Sequence, residues 1–263
     1  MRERRLAFGQ VAERYDQARP SYPSELIDDV LALAPLDGGG SGTLEVGAGT
    51  GKATVLFAAR GVSVLALEPS VEMAGIAEHN CAAYPHVVIE QTEFERWQQP
   101  VERFPLLYSA QAWHWIAPEA RYPKAHAALV PGGLLAAFWN RPDWERCSLR
   151  EEIDDVYARA APSLEAGGPM RPGRSGSADV WGDWCRQIDG APGFARPEVR
   201  TYRWAWSYTS EQYARLLSTH SDHIVLDAGQ QAVLYQGIMD VIDAAGGVLA
   251  LTYVTRLCLA WAM

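Results

Sequence analysis

Lysine is nearly missing from this chain: Lys52 and Lys124 are the only two, and arginine carries the rest of the positive charge. Acid prevails, with 32 Asp and Glu against 23 Lys and Arg, a formal net charge of −9 and a pI of about 5.2. Affinity for nucleic acid comes mostly from Lys and Arg that neutralise phosphates, so a polyanion is not the expected partner. Cysteine is sparse as well. Cys81, Cys147, Cys185 and Cys258 stand far apart, with no C-x-x-C pair and no zinc-type spacing. Four reduced thiols and no metal site are expected. No apolar run approaches the ~18 residues of a membrane span. The C-terminal "VLALTYVTRLCLAWAM" is interrupted by Arg256, and the opening "MRERRLAFGQVAERYD" holds no signal-peptide-like stretch. The expectation is a soluble, cytoplasmic protein without a membrane partner, monomeric or homodimeric.

What is present is apolar patterning. The chain has 263 residues, 48% of them hydrophobic, enough for one large domain or one domain with an elaboration. From about residue 24 to 140, short apolar runs alternate with amphipathic stretches, which signals an α/β fold with a mostly parallel sheet. "SELIDDVLALA" (24–34) reads as a helix, "DGGGSG" (37–42) as a loop and "TLEV" (43–46) as strand one. A helix from about Lys52 to Arg60, strands at 62–68, 86–91, 105–110 and 134–140, and helices at 70–83 and 118–129 continue the pattern. "PGG" (131–133) reads as a turn, and Pro123 sits awkwardly in its helix. Beyond a helix at 146–160, residues 162–196 are rich in Gly, Pro, Ser and Trp and read as an insertion. A strand at 198–209, helices at 210–218 and 229–244, and a last, antiparallel strand at 246–262 close the chain.

The stretch "LEVGAGTGKAT" (44–54) carries the chemistry. A phosphate loop requires G-x-x-x-x-G-K-[ST]. Gly51 and Lys52 fit its end, but Val46 stands where its first glycine belongs and Ala53 where its hydroxyl belongs. The dinucleotide fingerprint G-x-G-x-x-G fails at Lys52, since the glycines present are Gly47, Gly49 and Gly51. Glu68 ends strand two, where a carboxylate suits a ribose diol. With Glu45 ahead of the loop and Glu68 beside it, a diphosphate meets repulsion and a cationic, ribose-bearing ligand does not. Glycines at such a loop let the ligand approach bare backbone.

At these residues the chain resembles the class I S-adenosylmethionine-dependent methyltransferases, which carry E/D-x-G-x-G-x-G after strand one and an acid after strand two. "VLALEPS", "TEFERW" (92–97), "YSAQAWHWI" (108–116), "LVPGGLLAAFWN" (129–140) and "FGQVAERYDQARPSYP" (8–23) resemble the small-molecule branch labelled type 11 or trans-aconitate-methyltransferase-like. The resemblance is dense over residues 8–140 and weak afterwards. It implies a doubly wound, seven-stranded, mostly parallel Rossmann-like sheet with a helical lid insertion. Its parts are an N-terminal lid helix (1–22), a cofactor-binding core (23–145), a helical insertion and substrate lid (146–196), and the last two strands with their helices (197–263). It implies S-adenosylmethionine as cofactor and methyl transfer, by preference O-methylation, to a small organic acceptor such as a carboxylic acid or a natural-product hydroxyl. An S-adenosylmethionine-binding cyclase or sensor, an inactive binding partner and an NAD-dependent oxidoreductase stay open beside it.

Gly47, Ala48, Gly49 and Gly51 form the loop; Glu68 and Pro69 face the ribose; Glu45 holds the cofactor ammonium or caps an amide. By resemblance, Met73, Phe94 and Glu95 meet the adenine, Ser109 and Ala110 close the floor, and Tyr15 and Arg19 reach the cofactor carboxylate, which an arginine fork binds well. His114 stands where the methyl group emerges, as a general base or as a structural histidine. Gln111, Trp113, Trp139 and Trp181 are the expected acceptor contacts, the last in a lid given freedom by Gly167, Gly168, Gly173 and Gly176.

Overall fold

A computed structural model describes residues 12–36, 42–164, 170–172 and 184–263. Seven strands form one sheet: β1 (Thr43–Val46), β2 (Val64–Leu67), β3 (Val87–Glu90), β4 (Phe104–Ala110), β5 (Leu129–Pro142), β6 (Glu198–Thr209) and β7 (Val248–Trp261). Their order is β3-β2-β1-β4-β5-β7-β6. The first five run parallel, and β7 lies antiparallel between β5 and β6. This is the doubly wound, Rossmann-like sheet that the resemblance implies; the alternation signals an α/β fold with a mostly parallel sheet. Strand order reverses at the β1–β4 junction, and ligands of such sheets sit beyond the strand carboxyl ends at that switch point.

Helices cover both faces. Among the described residues they are α1 (Ala12–Ala18), α2 (Ser24–Leu33), α3 (Lys52–Ala58), α4 (Val71–Asn80), α5 (Pro118–Ala128), α6 (Arg150–Ala160), α7 (Trp184–Ile188), α8 (Ser210–Leu217), α9 (Ser221–Ile224) and α10 (Ala228–Ala244). α2 follows Pro23 and puts Leu26, Ile27 and Val30 on one fully buried stripe against Phe57 and Tyr108. Each such side chain contributes about 1.5–3 kcal/mol. α5 and α7 pack on the opposite face with Trp113, Trp139 and Phe194. A third cluster holds α6, α8 and α10 together beside β6 and β7. Side-chain caps start several helices: Ser70 accepts from the Met73 amide, Asp227 from that of Gln230, and Thr209 forms a capping box with Gln212.

Three expectations change. The Pro-Gly-Gly segment is not a free turn: β5 runs through it, with a register shift against β4 between Phe104 and Leu106, and Gly132 donates to the Ala262 carbonyl. The helix expected from 146 begins at Arg150, after a 3-10 turn at Trp144–Arg146. Four separate thiols are also not what folds. Cys185 of α7 is joined to Cys258 of β7 with Cα atoms 5.7 Å apart, while Cys81 and Cys147 are free and buried. Pro123 stays inside α5, and no described helix is long and apolar enough to cross a membrane. Trp181 and the insertion glycines Gly167, Gly168, Gly173 and Gly176 lie outside the described residues.

Candidate active site

A cleft of about 250 Å³ opens at the carboxyl ends of β1, β2, β4 and β5. Of the residues singled out from the sequence, Tyr15, Arg19, Gly47, Ala48, Gly49, Glu68, Pro69, Met73, Phe94, Glu95, Ala110, Gln111 and His114 line it. The glycine loop forms its floor. Gly47 and Gly49 have φ of +75° and +59°, and a Cβ on Gly47 would stand 2.4 Å from the Cβ of Ala112. Only glycine fits there.

The loop amides are already committed. Gly47 and Ala48 donate to the Leu67 carbonyl, Gly51 to the Ala48 carbonyl, and Gly49 to Oε2 of Glu68 at 2.8 Å. The other oxygen of Glu68 accepts from the Ser70 amide at 2.9 Å. A phosphate-binding loop works by aiming such amides at its ligand. This one commits four of them within the protein, three to backbone carbonyls and one to a carboxylate, whose remaining lone pairs can still accept hydroxyl protons.

Several expected contacts lie elsewhere. Leu44 and Val46 face one side of the sheet, so strand alternation turns Glu45 to the other, behind the loop. There it is fully buried, and its Oε2 accepts from Thr54 at 2.6 Å and Tyr108 at 3.0 Å. Burial, offset in part by those two bonds, pushes its carboxyl up to about 7. Glu45 thus braces the loop from behind and does not line the cleft. Gly51 caps α3, and a Cβ there would press on Ala77 at 3.3 Å. Ser109 donates to the Val46 carbonyl at 2.8 Å, tying β4 to β1. Trp113 is core. Glu95 borders the cleft, but its carboxylate accepts from the Ala117 amide at 3.0 Å and anchors the start of α5.

His114 and Trp139 form a unit. Trp139 is buried, and its indole N–H donates to Nδ1 of His114 at 3.1 Å. Indole is a donor only, so Nδ1 accepts and the neutral ring carries its proton on Nε2. Burial first, then the charges of Arg141 and Arg121, lower the ring to about 4. A neutral ring whose lone pair is already taken is no general base.

Over the cleft, α1 supplies Tyr15, and Arg19 follows directly after it. The Arg19 guanidinium lies 4.8 Å from the Tyr15 ring centroid and donates to both the side chain and the carbonyl of Thr219, each at 2.9 Å. Asp16 pairs with Lys52 at 3.8 Å and accepts from Asn80 at 3.1 Å. Residues that sequence reasoning missed also line the cleft: Asn140 and Arg141 near the end of β5, Met170, and His220 and Ser221 at the start of α9. The position of "NRP" at a strand carboxyl end was a usable signal for the first two. The others come from distant segments with no motif. Gln111, with φ of +59°, is the one non-glycine among the described residues in the left-handed region, and it borders the same cleft.

Residues 43–133 match the family described as "Methyltransferase domain". The chain carries a methyltransferase domain. An uncharacterised methyltransferase of Mycobacterium tuberculosis is 35% identical over 158 residues, covering 60% of this chain and 61% of the relative. The trans-aconitate 2-methyltransferase of Paracidovorax citrulli is 32% identical over 149 residues, 55% of this chain and 53% of that protein. The chain therefore matches little more than half of the length of these relatives. A provisionally named type II methyltransferase structure from Anaeromyxobacter dehalogenans superposes with a TM-score of 0.63 at 18% identity, covering 93% of this chain and 97% of that one. That likeness concerns the fold alone. The match at 43–133 ends before β5 closes, whereas the cleft draws on residues up to Tyr253, so the methyltransferase domain contributes its glycine-loop side.

Proposed function

We propose that the methyltransferase domain binds S-adenosylmethionine and that the chain transfers the methyl group to an oxygen of a small organic acceptor. The observation that carries this reading is the loop whose amides are committed within the protein while Glu68 borders the cleft. Such a loop repels a pyrophosphate and accepts a ribose and a positive charge, which disfavours the nicotinamide and nucleotide alternatives. Glu68 takes the ribose hydroxyls. Met73, Pro69 and Phe94 give the adenine an apolar slot, and Tyr15 and Arg19 cover the amino-acid end. When bound, the sulfonium supplies an already activated methyl group. The chain's own part is to align acceptor and methyl and to exclude water, for which positioning supplies about 7–11 kcal/mol.

Calorimetry tests this. S-adenosylmethionine and S-adenosylhomocysteine are expected to bind, with NAD and ATP far weaker. Glu68→Ala should weaken the cofactor by about 1.5–3 kcal/mol, the range for hydrogen bonds to a charged group. Glu68→Gln, which keeps one acceptor oxygen, should fall between. Tight NAD binding with no response to S-adenosylhomocysteine would sink the proposal.

A further inference from the structure

Arg121 of α5 is buried, and its guanidinium donates to neutral oxygens. Nε and Nη2 both donate to the Ile116 carbonyl, at 3.2 and 2.6 Å, and Nη2 also reaches the His114 carbonyl at 3.3 Å. The two carbonyls belong to one short piece of chain. Trp113–Trp115 form a 3-10 turn, closed by the Trp115 amide on the Ala112 carbonyl at 2.9 Å and the Ile116 amide on the Trp113 carbonyl at 3.4 Å. Ala112, His114, Trp115 and Ile116 line the cleft, so this turn is one of its walls. A single 3-10 turn has poor hydrogen-bond geometry, and a clamp from outside decides where it sits. A rigid, planar fork of donors suits that task.

The remaining arm of the fork points away from the turn. Nη1 donates to Oε1 of Gln187 at 2.9 Å, an exposed residue of α7 at the end of the insertion. α7 has only 5 residues and cannot hold itself. It is fixed by the Cys185–Cys258 bond to β7 and by the buried Ile188. A continuous chain of contacts therefore runs from β7 through the disulfide, α7, Gln187 and Arg121 to the carbonyls behind His114 and Ile116.

We propose that Arg121 is the positioning residue for this wall of the cleft, and that Gln187 and the Cys185–Cys258 bond set its place, so that the redox state of that bond is felt at His114. The inference rests on the proposed methyl transfer only for what the wall serves, the acceptor's side of the methyl group. A small dithiol is the reductant. Its thiolate attacks the sulfur of Cys185, which is partly buried, and the sulfur of the buried Cys258 leaves. The second thiol of the reagent then displaces Cys185 from the mixed disulfide. The S–S bond takes up two electrons, Cys185 and Cys258 end with one proton each, and the reagent is oxidised to its own disulfide. α7 loses its tie to β7, Gln187 leaves Nη1, and the fork is free to tilt away from the two carbonyls.

The test is amide hydrogen exchange on the full chain without ligand, with dithiothreitol as the reductant. Gln187→Ala, at an exposed position, should speed exchange at 113–116 by about fivefold, the size of one ordinary hydrogen bond, while β1 and β4 exchange as in the parent. Gln187→Glu keeps an acceptor oxygen and should restore the parent's protection, which a space-filling role would not require. Arg121→Lys keeps the charge without the fork and should loosen 113–116 at least as much as Gln187→Ala; should it fail to fold, the Gln187 pair carries the test. Dithiothreitol should speed the same amides in the parent and move the ¹⁵N signals of its His114 ring. In Gln187→Ala it should add less than about twofold at 113–116, because one relay can be broken only once, whereas independent effects multiply. Exchange at 113–116 that ignores Gln187→Ala, or that ignores dithiothreitol, would overturn the inference, and so would two effects that multiply. Calorimetry keeps this apart from the cofactor reading. S-adenosylhomocysteine should bind the oxidised and reduced parent within about twofold, since Glu68 and the glycine loop lie outside the relay; a larger change would mean that reduction disturbs the whole cleft and would overturn the relay. If S-adenosylhomocysteine does not bind at all, the methyl-transfer reading falls while exchange still decides the relay.

Discussion

Glu45 shows how one side chain's surroundings reverse what its position in a motif suggests. As a letter before the first glycine it reads as a ligand for a cationic cofactor. In the fold it is sealed between Thr54 and Tyr108, and its Oε1 finds no partner among the described residues. Glu68, whose charge also acts on it, adds to the cost of ionisation. A carboxyl held near 7, against 4.5 ordinarily, binds its proton more tightly folded than unfolded. Its stabilising contribution is therefore complete below about pH 4.5 and is lost as the pH rises through about 7, a change of about 3 kcal/mol. Glu45→Gln keeps an acceptor for both hydroxyls and removes the titration. Urea denaturation at pH 5 and pH 8 should show that this variant loses less stability on the alkaline side than the parent, by up to that amount. Equal losses would mean that Glu45 does not titrate in this window.

At the scale of elements, the pairing of α7 with β7 is the feature no motif announced. Cys185 and Cys258 are 73 residues apart in sequence. Closing a loop of that length restricts the unfolded chain and is worth up to about 4 kcal/mol in the chain-entropy account. Ile188, Ala191 and Phe194, which follow Cys185, are buried against the α5 face. The end of the insertion is thus a brace on the sheet, and only Met170 among its described residues reaches the cleft. Cys185→Ser should lower the melting temperature, and the reductant that lowers it in the parent should leave the variant unaffected. A parent whose melting is the same with and without reductant would show that the bond adds no stability. Strand and helix order was legible here because period-2 and period-3.6 patterns act locally. The run of β5 through Pro-Gly-Gly was not, because β7 had to lie alongside to accept it.

Across the whole molecule, the cleft is closed by pieces from three parts of the chain. α1 reaches the glycine-loop side through Asp16 with Lys52 and Asn80, and the α8–α9 side through Arg19, directly after it, with Thr219. A helix of 7 residues has little stability of its own, so these contacts hold it. Ligand that fills the cleft beneath it should slow its opening. Amide exchange in 12–18 and 216–221 is expected to fall when S-adenosylhomocysteine is added, while β4 and β5 stay equally protected in both states. Exchange in α1 that ignores the ligand would remove its role as a cover.

The chain's own letters determined the α/β class, the switch-point position of the loop and the acid at the end of β2, because each rests on spacing within some thirty residues. Glycine at Gly47 and Gly49 is legible because the turn itself demands positive φ. Tertiary structure alone decided which way these groups face and what completes them. Glu45 turned inward because of strand parity, and Trp139 became the donor that sets the His114 proton rather than an acceptor contact. Arg19, Arg141 and His220 came together from positions 19, 141 and 220. Charge and hydrogen bonding act through space, so a site assembled from segments that far apart leaves no period or motif along the sequence.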